Sequence, residues 1–213
     1  MAQAIFKQWF VDFEFPNENG EPYKSSGGEM VESELGMIPK GWDIGVLSDL
    51  VNIKYGKDHK KLEDGKIPVF GSGGVMRYVD KALYEKESVL IPRKGTLNNV
   101  IYVNEPFWSV DTMFFTEMKL PNIAKFVYQF VKLKDLVNMN IGSAVPSMTT
   151  AILNTIHVVI PCKEILDKFD GIITSFYSQI QFNDKNSENL VNIRDTLLPK
   201  LMSGEIDVSK IDV

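Results

Sequence analysis

Ile165, Phe169, Ile172, Phe176 and Ile180 recur at spacings of four, three, four and four, and beyond a polar gap at Asn183, Asn186 and Ser187 the stripe resumes with Leu190, Ile193, Leu197 and Leu201. A near-heptad apolar seam predicts one long helix suited to a partner helix. Pro199 lacks a backbone donor and is expected to kink or end it. To that point the run covers about 36 residues, on the order of 50 Å at 1.5 Å per residue. Globular helices average about 11–12 residues, so a rod of this length exceeds what one compact core needs.

The opposite end also reads as helical. Residues 2–13, AQAIFKQWFVDF, place Ala2, Ile5, Phe6, Trp9 and Phe13 on one face, and Pro16 with Asn19-Gly20 stops the run. That face is too apolar for a short helix lying on solvent. Neither apolar face has a partner of equal length in the chain, so both are expected at a subunit interface, in a homodimer or against a neighbouring subunit. Its candidate residues are Phe6, Trp9, Phe13, Phe169, Phe176, Ile180, Leu190 and Leu197.

Between the helical ends, residues 1–15 and 161–213, lie a linker and a domain. Residues 16–41 are polar, rich in Gly, Pro, Ser and Glu, and without periodicity, which predicts a linker. Residues 42–160 hold short elements. Val46–Ile53, Ser88–Ile91, Val100–Val103 and Met113–Met118 read as strands from their β-branched and aromatic content, Asn122–Val137 as a helix, Ile141–Met148 as a loop of small residues and Thr155–Ile160 as a strand. The elements do not alternate strictly as βαβ, so the fold class is α+β: one mixed domain, a short N-terminal helix and a long C-terminal coiled-coil-type helix.

Charge is distributed unevenly along a chain whose formal net charge is −5. Residues 1–41 carry three Lys against seven acids, residues 42–160 fourteen Lys or Arg against twelve, and residues 161–213 six against nine. Within the middle part, residues 54–100 hold ten bases and six acids, and KYGKDHKKLEDGK at Lys54–Lys66 has five of those lysines. Such a run is either a solvated loop or a surface for a phosphate backbone. On the second reading Lys54, Lys57, Lys60 and Lys61 contact phosphates. Ser72, Arg77, Tyr78, Lys94, Asn98 and Asn99 are candidates for base or backbone contact, because these donors sit beside glycines that let a backbone approach DNA. Arg93 is expected to pair with Asp80 or Asp111 instead, and Phe107 and Trp108 to be core.

Other chemistries find little support. FGSGG at Phe70–Gly74 runs into VMRYVD, which alternates like a strand, whereas a nucleotide-binding glycine loop opens a helix. There is no G-x-x-x-x-G-K-[ST] loop, no G-x-S-x-G elbow and no N-P-P-[YF] segment. A carboxylate metal site built on Asp111 or Glu117 with Lys119 is a remote alternative. Cys162 is the only cysteine and is expected to be buried and inert; with His59 and His157 far apart, no metal site and no cofactor are expected. The N-terminus lacks the features of a signal peptide and no apolar run is long enough to span a bilayer, so a cytoplasmic protein without a membrane is expected.

Several stretches carry a family resemblance. KQWFVDFEFPNENGEPYK (Lys7–Lys24) with SELGMIPKGW (Ser33–Trp42) is similar to the junction between the central helical region and the following target-recognition domain of the specificity subunits of type I restriction-modification systems. FGSGGVMRYVD (Phe70–Asp80), IPRKGTLNNVIYV (Ile91–Val103), PFWSVDTMFF (Pro106–Phe115) and GSAVPSMT (Gly142–Thr149) resemble successive segments of one class of such domains, and RDTLLPKLMSGEIDV (Arg194–Val208) the end of the distal helical region. The resemblance spans essentially the whole chain in the expected order. A typical member has two recognition domains alternating with two helical regions; this chain has one domain, the tail of one helical region and the whole of another. IPCKEILDKFD (Ile160–Asp170) departs from the family's proline- and Glu-Gln-rich entry to the distal helix. The resemblance implies a non-catalytic, half-length subunit that reads double-stranded DNA and positions methyltransferase (modification) subunits and a restriction/translocase subunit. A helical interaction scaffold without DNA readout is the other reading that the residues leave open.

Overall fold

MFFTEM at Met113–Met118 is the strand round which the largest sheet is assembled: Met113, Phe114, Phe115 and Thr116 are all buried. The computed structural model describes residues 1–139 and 147–206. In chain order the elements are α1 (Ala2–Phe6) running into a π-helical turn (Lys7–Val11), β1 (Met30–Ser33), β2 (Gly36–Pro39), β3 (Asp43–Val46), α2 (Leu47–Leu50), β4 (Val51–Tyr55), β5 (Asp64–Gly71) and β6 (Gly74–Val79). There follow β7 (Ser88–Pro92), β8 (Ile101–Val103), β9 (Trp108–Ser109), β10 (Met113–Met118), α3 (Ala124–Lys132), α4 (Thr150–Asn154), β11 (His157–Ile160) and α5 (Lys163–Met202). Two units divide the chain, Met1–Asp170 and Gly171 onward. The expected α+β class and the long helix are present.

The main sheet has the order β4-β10-β7-β8, with antiparallel pairs. β7, SVLIP, is buried along its whole length, as a strand covered on both faces requires. Its ladder to β10 pairs Met113 with Pro92 and Phe114 with Ile91. Further along, two buried hydroxyls bridge the strands: Ser88 Oγ donates to the Thr116 carbonyl (2.8 Å) and accepts from Thr116 N–H (3.0 Å), while Thr116 Oγ1 accepts from Val89 N–H (2.8 Å). Every one of these buried polar groups is thereby satisfied. A second sheet, β6-β5-β9, holds the β5–β6 hairpin, and β11 pairs antiparallel with β3.

Val46–Ile53 does not form one strand. Leu47 and Leu50, three apart, are both buried, and Asp49 accepts a hydrogen bond from Val46 N–H (2.8 Å), which stabilises the single helical turn α2 between β3 and β4. Residues 16–41 differ from a free linker. They form a turn bridged between Pro16 and Pro22 and the β1–β2 hairpin, tied down by Phe15, which stacks between Tyr23 (4.5 Å) and Trp42 (4.9 Å). The helix expected over Asn122–Val137 is shorter, α3, and the strand expected from Thr155 begins at His157. The loop expected at Ile141–Met148 lies mostly outside the described residues.

The proximal apolar face is not open. Phe6, Trp9 and Phe169, expected at a subunit interface, are buried in the first unit's own core. Phe169 lies 6.0 Å from Phe6, 6.0 Å from Trp9 and 4.9 Å from Phe10, and Phe10 meets Phe126 of α3 edge-on at 4.9 Å. The π turn is the cause. Its wider helix, closed by Asp12 N–H to the Lys7 carbonyl, brings Trp9 and Phe10 inward together, whereas an α-helical period favours Phe13 over Phe10. Phe13 is instead partly exposed, at φ 62°, with its ring edge-on to Trp42 at 5.7 Å.

A buried ion triad lies beside this cluster. Lys125 of α3, 4% exposed, bonds Glu87 (3.0 Å) and Asp170 of α5 (2.9 Å), and its ammonium lies 5.6 Å from the centre of the Tyr102 ring. Asn122, also at positive φ, donates to Asp167 (2.9 Å). Cys162 is half-buried rather than buried, and its carbonyl accepts from Ile165 and Leu166 at the start of α5.

In the second unit α5 continues through Pro199 to Met202. The ring removes one donor, but this stretch of helix is exposed, so the freed carbonyl is open to solvent and the expected stop does not occur there. Of the seam residues, Phe176 is half-buried and Ile180, Leu190, Ile193, Leu197 and Leu201 are exposed. Among the described residues no helix is long and apolar enough to cross a membrane.

Lys125→Met removes the only cation of the triad, so the largely buried Asp170 carboxylate loses its ion pair with Lys125. A loss of about 3 kcal/mol is expected in denaturant unfolding, and adding Asp170→Asn should restore part of it.

Candidate nucleic-acid interface

Loops at strand ends carry the donors that can face a ligand, because a scaffold of paired strands fixes where they stand. Four connections meet at one edge of the domain: residues 56–63 after β4, the Ser72-Gly73 turn between β5 and β6, residues 93–100 between β7 and β8, and residues 110–112 before β10. Backbone bonds lace them together. Lys57 N–H donates to the Ser109 carbonyl (2.8 Å), Val110 N–H to Phe70 (3.0 Å) and Arg93 N–H to Thr112 (2.8 Å). Side chains add to this, with Trp108 Nε1 donating to the Lys57 carbonyl (2.9 Å) and Asn99 Nδ2 to the Ser72 carbonyl (2.8 Å). Gly56 is required by close approach, since a Cβ there would run into the Val110 carbonyl. Gly95 combines φ +84° with Ser72 Oγ 2.7 Å from where its Cβ would lie.

The predicted contact residues fall into three groups. Lys57, Lys60 and Lys61 stand exposed on the 56–63 loop, Lys94 and Asn98 on the 93–100 loop, and Tyr78 on β6. These are brought to the loop cluster or next to it. Asp58 turns the lysine loop: its carboxylate accepts Lys60 N–H (3.1 Å), and that bond, reinforced by the Lys60 charge, holds it below the usual carboxylate range. Ser72 and Asn99 bond each other across the cluster, so Asn99 braces the turn.

The remaining two are engaged in pairs. Lys54 is on β4, where successive side chains alternate, so it faces away from Tyr55, and its ammonium lies 3.6 Å from Glu117. Arg77 donates to the Leu62 carbonyl (3.0 Å) and to Asp64 (2.8 Å). Asp64 is almost wholly exposed, so this ion pair is screened and contributes at most about 1 kcal/mol. Arg93 pairs with neither expected carboxylate. It bonds the Asp111 backbone carbonyl (3.3 Å) and lies 5.3 Å above the Tyr55 ring. Phe107 is core as expected, whereas Trp108 is only half-buried.

Between the lysine loop and the hairpin runs an open cleft lined by His59, Lys60, Ser72, Met76, Asp111 and Thr112. Among the described residues no cluster of His, Cys, Asp and Glu could hold a metal ion. Cation-bearing loops around a mixed polar and apolar cleft suit a polyanion whose interior must also be discriminated. Sequence reasoning missed Arg93 on Tyr55, the 110–112 segment and Met76. The available signal was the hairpin itself, in which Val75, Met76 and Tyr78 cannot all point inward from one strand.

The sequence pattern of the type I restriction modification DNA specificity domain matches residues 39–192. The chain belongs to that family. It is similar to the type I restriction enzyme MjaIX specificity subunit of Methanocaldococcus jannaschii, at 25% identity over 99% of this chain and 53% of the relative. It is also similar to the HindI specificity subunit of Haemophilus influenzae, at 24% identity over 97% of this chain and 61% of the relative. The chain therefore spans between half and two thirds of the length of these relatives. In structure it resembles the type I restriction-modification S subunit from M. genitalium, with a TM-score of 0.62 and 26% identity over 76% of this chain and 46% of that one. The loop cluster thus lies within the matched specificity domain.

Gly56→Ala forces the lysine loop away from Val110. The expected result is a loss of about 1–3 kcal/mol in chemical denaturation, with faster hydrogen exchange at Lys57 and Val110.

Proposed function

We propose that this chain is the DNA-reading specificity subunit of a type I restriction-modification complex, with no catalytic activity and no cofactor of its own, acting in the cytoplasm. The observation that carries the reading is the convergence of the lysine loop, the β5–β6 hairpin and the 93–100 loop at one edge of a domain of this family. Lys57, Lys60 and Lys61 set affinity and register through phosphates. Lys94, Asn98, Tyr78 and Ser72 face base edges or the sugar-phosphate backbone; Asn99 holds Ser72 in place. Arg77 and Lys54 join by exchanging Asp64 and Glu117 for the duplex. Bound to its half-site, the subunit positions methyltransferase subunits and a restriction/translocase subunit.

The exposed seam on α5 supports an assembly partner, a second copy through Phe176, Ile180, Leu190 and Leu197. Two copies related by a two-fold axis would read one half-site twice in inverted orientation, giving an interrupted palindrome. The same seam favours the second reading, an interaction scaffold without DNA readout, in which the lysine loop is a solvated face.

Lys60→Ala and Lys61→Ala are each expected to weaken binding to all duplexes about equally and to lower the slope of log affinity against log salt by about 1, in fluorescence-anisotropy titrations. Unchanged slopes in both variants would favour the scaffold.

Charged replacements, Phe176→Glu with Ile180→Glu, should convert a dimer to a monomer in light scattering. A wild-type chain that is monomeric and folded at high micromolar concentration would remove the palindrome.

A further inference from the structure

The tip of the β5–β6 hairpin differs chemically from everything around it. Residues 67–76, IPVFGSGGVM, carry no charged side chain, yet the lysine loop lies across the cleft from them and Lys94 is on the neighbouring loop. Such a segment adds no charge to phosphate affinity. It is nevertheless exposed where it leaves the turn: Val75 is 49% exposed, Met76 58% and, one residue past Arg77, Tyr78 53%. Val69 and Val79 of the same sheet are fully inside, at 0%. Three apolar side chains in near succession on an edge strand are a liability in water unless something covers them.

Geometry restricts what covers them. Gly71 pairs with Gly74 across the Ser72-Gly73 turn, so the hairpin is a narrow two-stranded ribbon, the kind of element that the major groove of B-DNA admits. The Asn99 bond to the Ser72 carbonyl fixes the ribbon's tip against the 93–100 loop. Met76 lies across Gly71, its sulfur 2.5 Å from where a Cβ on that glycine would be, and faces the cleft shared with Ser72 and Thr112. In the major groove the one apolar group that a base pair presents is the C5-methyl of thymine.

We infer that the β5–β6 hairpin reads thymine in the major groove by apolar contact, with Met76 and Val75 covering pyrimidine C5-methyl groups while the flanking lysines hold the phosphates. The inference deepens the proposed DNA-reading function and rests on it. It assigns base discrimination to side chains that carry no hydrogen-bond donor.

The test uses the full chain with its methyltransferase partner and duplexes selected from a random pool. In the selected half-site each thymine is replaced singly by uracil, which removes the methyl and leaves the hydrogen-bonding edge unchanged. At one or two positions the wild type should bind about fourfold more weakly, the value of one buried methyl or methylene group. Met76→Ser or Val75→Ser should bind thymine and uracil duplexes alike at that position, and Met76→Leu should keep the preference. The salt slope should stay the same in all these variants. Equal binding of thymine and uracil duplexes by the wild type, a selected half-site without thymine, or a Met76→Ser variant that keeps the full preference would overturn the inference while leaving DNA reading intact. Loss of co-purification with the methyltransferase in Met76→Ser, at unchanged base preference, would make the patch a protein contact and overturn it as well. Failure of the wild type to select any sequence would remove the DNA-reading function itself.

Discussion

Phe169 at the start of α5 packs on three rings of the N-terminal segment, and the first unit depends on that contact. Its ring touches Phe6, Trp9 and Phe10 from the N-terminal segment, and Phe10 passes the contact to Phe126 of α3. Tilted and edge-on ring pairs of this kind contribute about 0.5–1.5 kcal/mol each beyond the area they bury. An apolar cluster alone tolerates small rotations, because many packings of rings bury similar area. The Lys125 triad does not: Glu87 and Asp170 must both lie within bonding distance of one ammonium, which fixes the first turns of α5 against α3. The polar network fixes the setting, and the rings bury apolar area around it. With that setting fixed, α3 packs on β7 and β8, and the loops at the ends of those strands inherit their positions.

On the proposed DNA-reading function, a chain of net charge −5 needs its charges kept apart. At physiological salt the screening length is about 8 Å, so the acids that act strongly on a ligand at the loop cluster are those close to it. What matters is the local balance. Asp58, Asp64 and Glu117 each occupy one bond or pair near the lysines and so shape the loops rather than repel from the surface. The exposed cations Lys57, Lys60, Lys61 and Lys94 are left facing solvent.

How much of this was legible in the sequence depended on the range of the deciding interaction. The 3.5-residue period of α5 and the β-branched runs of β7, β8 and β10 are local signals and were read closely. The lysine loop was visible as composition. Val46–Ile53 misled because β-branched residues surround a one-turn helix whose only marker is Asp49 reaching back to Val46. The segment 16–41 looked like a linker because its order comes from Phe15 stacking on Trp42, a contact with no periodicity. Phe10 was missed because a π turn changes the register that an α-helical period assumes. At the site, Arg77 and Asn99 looked like free donors, since their partners, Asp64 and the Ser72 carbonyl, lie across strands and loops.

The apolar side chains along α5 also bear on how the cell must supply this protein. Ile180, Phe182, Leu190, Ile193, Leu197 and Leu201 stand in water on a single chain. A row of that kind is what chaperones and quality-control proteases bind, so under the proposed pairing an unassembled copy is the one they reach and an assembled copy is spared. The amount that survives then depends on the concentration at which copies meet.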